Sequence, residues 1–233
     1  MRTAVSVFCA GAMLLSAVTI PIAAAEKVTS ATILALVEKN YKDINDYKVD
    51  AEVTIDSPQL YVKGSKMTIY FKKPNKVKIE AKEGFAVMPQ VFAGNPATEI
   101  KSKFNVEYTG DSKLGGEPVY VLKLTPKSTS APGNMKLFVE KKRGVIVGSE
   151  AKANDMTMIS RWTYVKVDKK YWLPSQIKVE MSGTLSSPAY DPDEVKVKPA
   201  KTGKGTAVIK LKNYQVNKGL SDKIFEQKKS SGK

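Results

Sequence analysis

The chain has 233 residues, of which 38 are lysine or arginine and 23 are aspartate or glutamate, giving a formal net charge of +15. It contains no histidine and a single cysteine, so the usual proton shuttle of catalysis, the commonest metal ligand and an internal disulfide are all excluded. We therefore predict a binding protein rather than an enzyme, with no metal site and no cofactor.

The first 25 residues have the pattern of a secretory signal peptide. Arg2 precedes a mostly apolar run at residues 5–20, and three alanines at residues 23–25 form a small-residue cleavage site. The apolar run is shorter than the ~20 residues that a spanning helix needs, which favours a signal peptide over a membrane anchor. We expect residues 26–233 to form one soluble domain in the periplasm or another extracytoplasmic space.

One helix is predicted directly after the signal peptide, at residues 31–44. Thr29 or Ser30 can cap its start, and its apolar residues recur at helical spacing. These residues are Ile33, Leu34, Val37, Tyr41 and Ile44. Short helical turns are predicted near residues 85–92 and 221–225.

From residue 47 onward the apolar pattern changes to a period of two, which is typical of strands. Turns rich in Pro, Gly, Asn and Asp separate the runs. The runs are residues 47–55, 66–71, 76–81, 119–124, 135–139, 145–147, 162–167, 177–181 and 207–211. This pattern predicts an antiparallel meander of about ten strands, with one lysine-rich face and one apolar face.

The apolar face of this sheet needs a cover. A helix of 14 residues is only ~20 Å long and covers part of ten strands. The sheet either closes as a packed barrel or sandwich with a self-filled core, or stays a curved half-barrel with helices as a partial lid over an apolar cavity. The residue pattern alone favours neither arrangement.

Three segments resemble the periplasmic carrier family that delivers lipoproteins to the outer membrane. DYKVDAEVTI followed by GSKMTIYFKKPNKVKIE is similar to two strands of that family joined by a basic-Pro-Asn turn. YVLKLTPKSTSAPGNMKLFVE is similar to its Leu-Thr-Pro-Lys strand, polar loop and next strand, and KNYQVNKGLSDKIFEQ is similar to its closing element. The resemblance extends over most of residues 30–228.

The resemblance implies an α+β fold, an unclosed antiparallel β-barrel with an N-terminal helix and short lid helices over an apolar cavity. Lys73 takes the place of an arginine that latches the family's lid. Because lysine lacks the guanidinium fork, we expect this latch to be weaker or absent. The side chains expected to line the cavity are Val53, Ile55, Met67, Ile69, Phe71, Val77, Ile79, Phe85, Met88, Leu122, Leu124, Met135, Leu137 and Val139.

The function implied by the resemblance is a monomeric carrier that binds acyl chains of lipoproteins or lipids and moves them across the cell envelope. Its partners would be the acylated cargo, a membrane-associated donor and acceptor, and transiently an anionic membrane surface, which the basic exterior attracts. Export argues against nucleic acid as a partner. A sensor on the same fold, or a basic module that binds acidic envelope polymers, are the alternatives.

Overall fold

A single sheet of ten antiparallel strands dominates the described part of the protein. The computed structural model describes residues 27–58, 60–81, 94–128, 133–153, 155–185 and 201–226. The predicted signal peptide and the predicted helical turn near residues 85–92 lie outside these ranges. The predicted turn near residues 221–225 is confirmed as a 3-10 helix, Asp222–Phe225.

The described elements comprise two α-helices and ten strands. The helices are α1 (Ser30–Tyr41) and α2 (Pro96–Lys103). The strands are β1 (Asp46–Asp56), β2 (Tyr61–Lys72), β3 (Lys76–Ala81), β4 (Phe104–Leu114), β5 (Glu117–Pro126), β6 (Met135–Glu140), β7 (Val145–Ala153), β8 (Met156–Val167), β9 (Tyr171–Leu185) and β10 (Lys201–Val216).

The strand order is β3-β2-β1-β10-β9-β8-β7-β6-β5-β4. β1 and β10 are the third and fourth strands and pair inside the sheet, where Val53 lies opposite Ile209. β3 and β4 are the two outer strands and do not pair with each other, so the sheet is unclosed. The 3-10 helix lies beside β3, and Asp222 forms an ion pair of 3.1 Å with Lys76. The predicted α+β half-barrel is confirmed.

The sequence around α1 explains where this helix begins and ends. Thr29 caps it in a capping box, because its side chain accepts from the Thr32 backbone N–H at 3.2 Å while the Thr32 hydroxyl accepts from the Thr29 N–H at 2.9 Å. The helix ends at Tyr41, three residues earlier than predicted. A turn in which the Ile44 N–H donates to the Tyr41 carbonyl oxygen at 3.1 Å then leads into β1.

Among the described residues, most buried apolar side chains form two packed groups. The helix-side core lies beneath α1 and α2, and its buried members are Ile33, Leu34, Val37, Ala97, Ile100, Leu122, Leu124, Leu137, Val139 and Ile146. The β3-side core contains Tyr41, Ile44, Tyr47, Val49, Ala51, Val53, Met67, Ile69, Phe71, Leu173, Ile177, Ile209, Leu211 and Val216. Trp162 packs against both groups and marks the seam between them.

Two described elements, α2 and β4, are absent from the sequence-based prediction. α2 begins with Asn95, whose side chain accepts from the Ala97 N–H at 3.0 Å, and with Pro96 in its first turn. It buries Ala97 and Ile100 in the helix-side core and leads directly into β4. The lid over this part of the sheet therefore has a second helix that the prediction missed.

Candidate functional site

The structure divides the predicted cavity residues between the two cores. Val53, Met67, Ile69 and Phe71 are buried in the β3-side core, and Ile55, Val77 and Ile79 pack against it while partly exposed. Leu122, Leu124, Leu137 and Val139 are buried in the helix-side core, with Met135 partly buried beside them. Phe85 and Met88 lie outside the described residues. The described residues of this set therefore belong to two neighbouring packed groups, and their role in lining a cavity stays a prediction.

The helix-side section is a solid core in this structure. Leu122 and Leu124 on β5 have exposed fractions of 0% and 1%. They pack in one cluster with Leu34 of α1 and Ile100 of α2. The apolar face of β5 therefore lies against the two helices.

The β3-side section reaches an outer edge of the sheet. Val77 and Ile79 on β3 lie opposite Phe71 and Ile69 of β2, and both remain partly exposed. β2 is the one strand that pairs with β3 among the described residues. The apolar interior is therefore continuous with an accessible apolar edge.

The chain that enters α2 passes directly over the β3-side core. The Gly94 N–H donates to the Tyr47 hydroxyl at 3.3 Å, and a Cβ atom at Gly94 would lie 3.0 Å from the Phe71 ring. The Tyr47 and Phe71 rings are themselves 5.3 Å apart. Glycine allows this close approach because it has no side chain.

A small polar group interrupts the apolar face at the seam. The Ser149 and Ser160 hydroxyls are 2.7 Å apart, and the Trp162 Nε1–H donates to the Ser160 hydroxyl at 3.0 Å. Ser160 is buried, and these hydrogen bonds satisfy its hydroxyl.

Lys73, the predicted lid latch, contacts the C-terminal end of α1. Its Nζ donates to the Lys42 carbonyl oxygen at 2.5 Å, so the turn between β2 and β3 is joined to the C-terminal end of α1. The lysine donates one such bond here, whereas an arginine guanidinium can donate hydrogen bonds to several carbonyl oxygens. The role of Lys73 as a latch remains a prediction.

Four tyrosines in or beside the β3-side core have raised pKa values. Burial raises the pKa of Tyr47 to about 12, and burial also raises the pKa values of Tyr41, Tyr164 and Tyr214. The Tyr164 hydroxyl donates to the Ile146 carbonyl oxygen at 2.6 Å, and that of Tyr214 donates to the Pro174 carbonyl oxygen at 2.8 Å. All four hydroxyls stay protonated at neutral pH, and those of Tyr164 and Tyr214 act as structural donors.

Sequence reasoning missed a cleft of about 520 Å³ on the outer surface. It opens between the C-terminal end of α1, the β6–β7 turn and the β8–β9 turn. Its lining residues are Leu36, Lys39, Asn40, Lys42, Asp43, Lys141, Lys142, Arg143, Gly144, Lys170, Tyr171 and Trp172. The sequence indicates this cleft only through two basic segments, KKRG and KKYW. They are separate in sequence, and only the fold brings them together.

Within the described ranges, no three Asp, Glu, His or Cys side chains group closely enough to hold a metal ion. Across the same residues, no helix has both the length and the apolar character that crossing a membrane requires.

Comparison with solved structures finds several proteins with the same fold at low sequence identity. A LolA superfamily protein from Nitrosomonas europaea aligns with a TM-score of 0.58 at 15% identity, covering 86% of this chain and 99% of the other. A DUF1329 family protein from Desulfovibrio piger aligns with a TM-score of 0.52 at 14% identity, covering 84% and 96%. A putative outer membrane lipoprotein-sorting protein domain from Vibrio parahaemolyticus aligns with a TM-score of 0.52 at 11% identity, covering 83% and 94%.

The predicted resemblance is confirmed at the level of the fold. By sequence, residues 86–229 match a family described as "-like: Uncharacterized protein", and the chain belongs to that family. No curated protein matches the chain significantly.

Proposed function

We propose that the protein is a soluble exported carrier, which binds the acyl chains of lipoproteins or lipids on its concave apolar face and performs no catalysis. The observation that carries this proposal is the continuity of the β3-side core with the partly exposed Val77 and Ile79 at the edge of the sheet. An acyl chain enters at this edge and lies along the inner faces of β1, β2 and β3.

Apolar contact alone supplies enough free energy for such binding. Transfer of an acyl chain from water is worth ~0.8 kcal/mol per buried CH₂ group, so no polar recognition group is needed. Met67 lies in the wall of the β3-side core, and its unbranched side chain can adapt to a guest. Entry of the chain separates side chains that pack against one another in this structure.

The names of the structural neighbours support a lipoprotein or lipid cargo. One neighbour is described as a lipoprotein-sorting protein domain, and another belongs to the LolA superfamily. The basic exterior supports transient docking of a monomer at anionic membranes in the periplasm, where a membrane-associated donor loads the cargo and an acceptor receives it.

The first test is native mass spectrometry of the protein purified from its own cell envelope, followed by organic extraction. We expect an acylated species to copurify at near-stoichiometric level. A clean apo mass, together with no uptake of a fluorescent fatty acid, would contradict the proposal.

A pair of variants on β3 tests the route of entry. Ile79→Trp fills the apolar side of the strand and is expected to reduce uptake of the fluorescent fatty acid. Lys78→Trp adds the same side chain on the opposite face, where Lys78 pairs with Glu80 at 2.9 Å, and should leave uptake unchanged. Equal uptake by both variants would exclude entry at β3.

A further inference from the structure

The outer cleft beside α1 concentrates positive charge from three separate segments. Its lining contains six cationic side chains and one carboxylate, that of Asp43. A second cleft, on the outer face of β1, β2 and β10, is nearly balanced, with three lysines and two carboxylates. The cations of the first cleft are Lys39, Lys42, Lys141, Lys142, Arg143 and Lys170. Its volume of about 520 Å³ lies within the range of small-molecule sites.

Arg143 is one of these cations, and an ion pair holds its side chain in place. Its Nε donates to Glu140 at 2.5 Å, and this carboxylate, 2% exposed, also accepts from the Lys142 N–H at 2.7 Å. The guanidinium carbon lies 5.0 Å from the centre of the Trp172 ring. Within the described part of the chain no partner for the two Nη groups is found, so they are available to an anion as a preoriented pair of donors.

The wall of the cleft is built by a close contact between α1 and the β6–β7 turn. The Asn40 side-chain amide donates to the carbonyl oxygens of Arg143 at 2.8 Å and Gly144 at 3.0 Å. Gly144 has a φ of +65°, and a Cβ atom there would lie 3.0 Å from the Leu36 backbone. The relative positions of the helix and the turn are therefore fixed before any ligand binds.

Several of the cations are free to bind a ligand. Two of the lysines are already paired: Lys170 forms an ion pair with Asp43 at 3.1 Å, and Lys141 forms one with Asp111 at 2.5 Å. Lys39, Lys42 and Lys142 form no ion pair with any residue in the described ranges. The negative end of the α1 dipole favours Lys39 and Lys42, but it does not account for the cations that come from the two turns.

We propose that this cleft binds a phosphate group, carried by the headgroup of the lipid cargo. Arg143 and Lys142 donate to the phosphate oxygens, Lys42 faces them from the end of α1, and Trp172 packs against the remainder of the headgroup. This inference deepens the proposed function and rests on it. Tyr171 lines the cleft and also packs against the β3-side core, so the cleft adjoins the apolar group that the acyl chain would enter.

The test compares two lipids with the same acyl chain, lysophosphatidic acid and monoacylglycerol, by displacement of a fluorescent fatty acid from the full-length mature protein at 150 mM salt. Lysophosphatidic acid is expected to bind at least about tenfold more tightly than monoacylglycerol. One charge-assisted hydrogen bond to the phosphate accounts for an affinity difference of this size. Inorganic phosphate is titrated separately, with chemical shifts of the Trp172 indole as the readout.

A matched pair of double variants assigns the difference to the cleft. Lys42→Ala with Lys142→Ala is expected to abolish the preference for lysophosphatidic acid while leaving monoacylglycerol affinity unchanged. Lys210→Ala with Lys212→Ala removes the same charge from the second cleft and is expected to retain the preference. Both pairs change exposed side chains, so both proteins should fold.

The outcomes separate this inference from the proposed function. Equal affinity for the two lipids would overturn the phosphate site and leave the acyl carrier intact. Binding of inorganic phosphate at Trp172 without binding of either lipid would overturn the lipid headgroup as the source and also the carrier function. A preference lost equally in both double variants would show a general charge effect and overturn the assignment to this cleft.

Discussion

The two halves of the concave face use the same alternating pattern with different results. On the β4–β7 half, two helices cover the apolar side chains, and the helix-side core is a conventional packed core. On the β1–β3 half, the same pattern continues to an outer strand where Val77 and Ile79 stay partly exposed. The element that packs on the sheet, rather than the pattern of the strand, therefore decides whether an apolar face is structural or accessible.

The largest expected effect is the loss of a side chain from the covered half. Leu122→Ala should lower the free energy of unfolding by about 2–5 kcal/mol, because a fully buried leucine leaves a cavity. Ile79→Ala should cost about 1 kcal/mol, as its side chain is partly exposed and loses less buried area. Denaturant unfolding followed by tryptophan fluorescence measures both values.

Lys123→Ala serves as the control for this comparison, since Lys123 lies on the outer face of β5 and pairs loosely with Glu107 at 3.6 Å. It should change stability by less than about 0.5 kcal/mol. Equal costs for Leu122→Ala and Ile79→Ala would remove the distinction between the two halves.

High pH should weaken the β3-side half first. Tyr47 has an ordinary pKa of 10.0 that burial raises to about 12, so the unfolded chain releases this proton before the folded protein does. The contribution of this raised pKa to the free energy of unfolding, about 2–3 kcal/mol in total, is fully present below pH 10 and is lost as the pH rises toward 12. Hydrogen exchange of β1 and β2 across this range measures the loss.

Tyr47→Phe removes the ionisable group and should flatten the decline between pH 10 and 12, although it also removes the acceptor of the Gly94 N–H. Tyr61→Phe changes an exposed tyrosine and should leave the decline as it is. A decline that appears first in the helix-side core would contradict the expected order.

A smaller effect tests the contact that holds α1 against the sheet. Gly144→Ala and Gly115→Ala both place alanine at a left-handed φ, of +65° and +61°. This backbone strain alone should lower the free energy of unfolding of each variant by about 1–2 kcal/mol. An added Cβ meets the Leu36 backbone at Gly144 and open space at Gly115. Thermal unfolding should therefore show an excess cost of about 1–2 kcal/mol at Gly144, and equal costs would mean that the helix moves freely.

The smallest expected effect concerns Lys73. Lys73→Met removes one exposed hydrogen bond to the end of α1 and should lower the free energy of unfolding by about 0.5 kcal/mol. If the bond is a latch, this variant also takes up the fluorescent fatty acid faster, and Lys73→Arg takes it up more slowly. Unchanged uptake rates in stopped-flow measurements would show that the contact is only structural.

Most of the fold was predictable because periodicity reports burial directly. The missed elements had weaker signals. α2 buries only Ala97 and Ile100 in eight residues, too few for a helical stripe. In β4, Phe104, Val106 and Tyr108 do alternate, but a register shift between Tyr108 and Gly110 interrupts the pattern.

The candidate sites were predictable to different degrees. Alternation identified which side chains of β1, β2, β5 and β6 face inward, since parity assigns the face of each residue. It could not show that Leu122 lies beneath two helices while Val77 lies at an edge, because that depends on segments distant in sequence. The basic cleft depends on one helix end and two turns that only the folded chain brings together.

The pairing of β1 with β10 has a consequence for how the protein folds. Tyr47 and Val216 are neighbours on two paired inner strands although roughly 170 residues separate them, which is a contact of high order. The Asn217 side chain accepts from the Asn45 N–H at 2.7 Å and so fastens this junction. Almost the whole described chain must be synthesised before β1 can pair with β10, so folding completes late and the unpaired β1 edge needs protection until then.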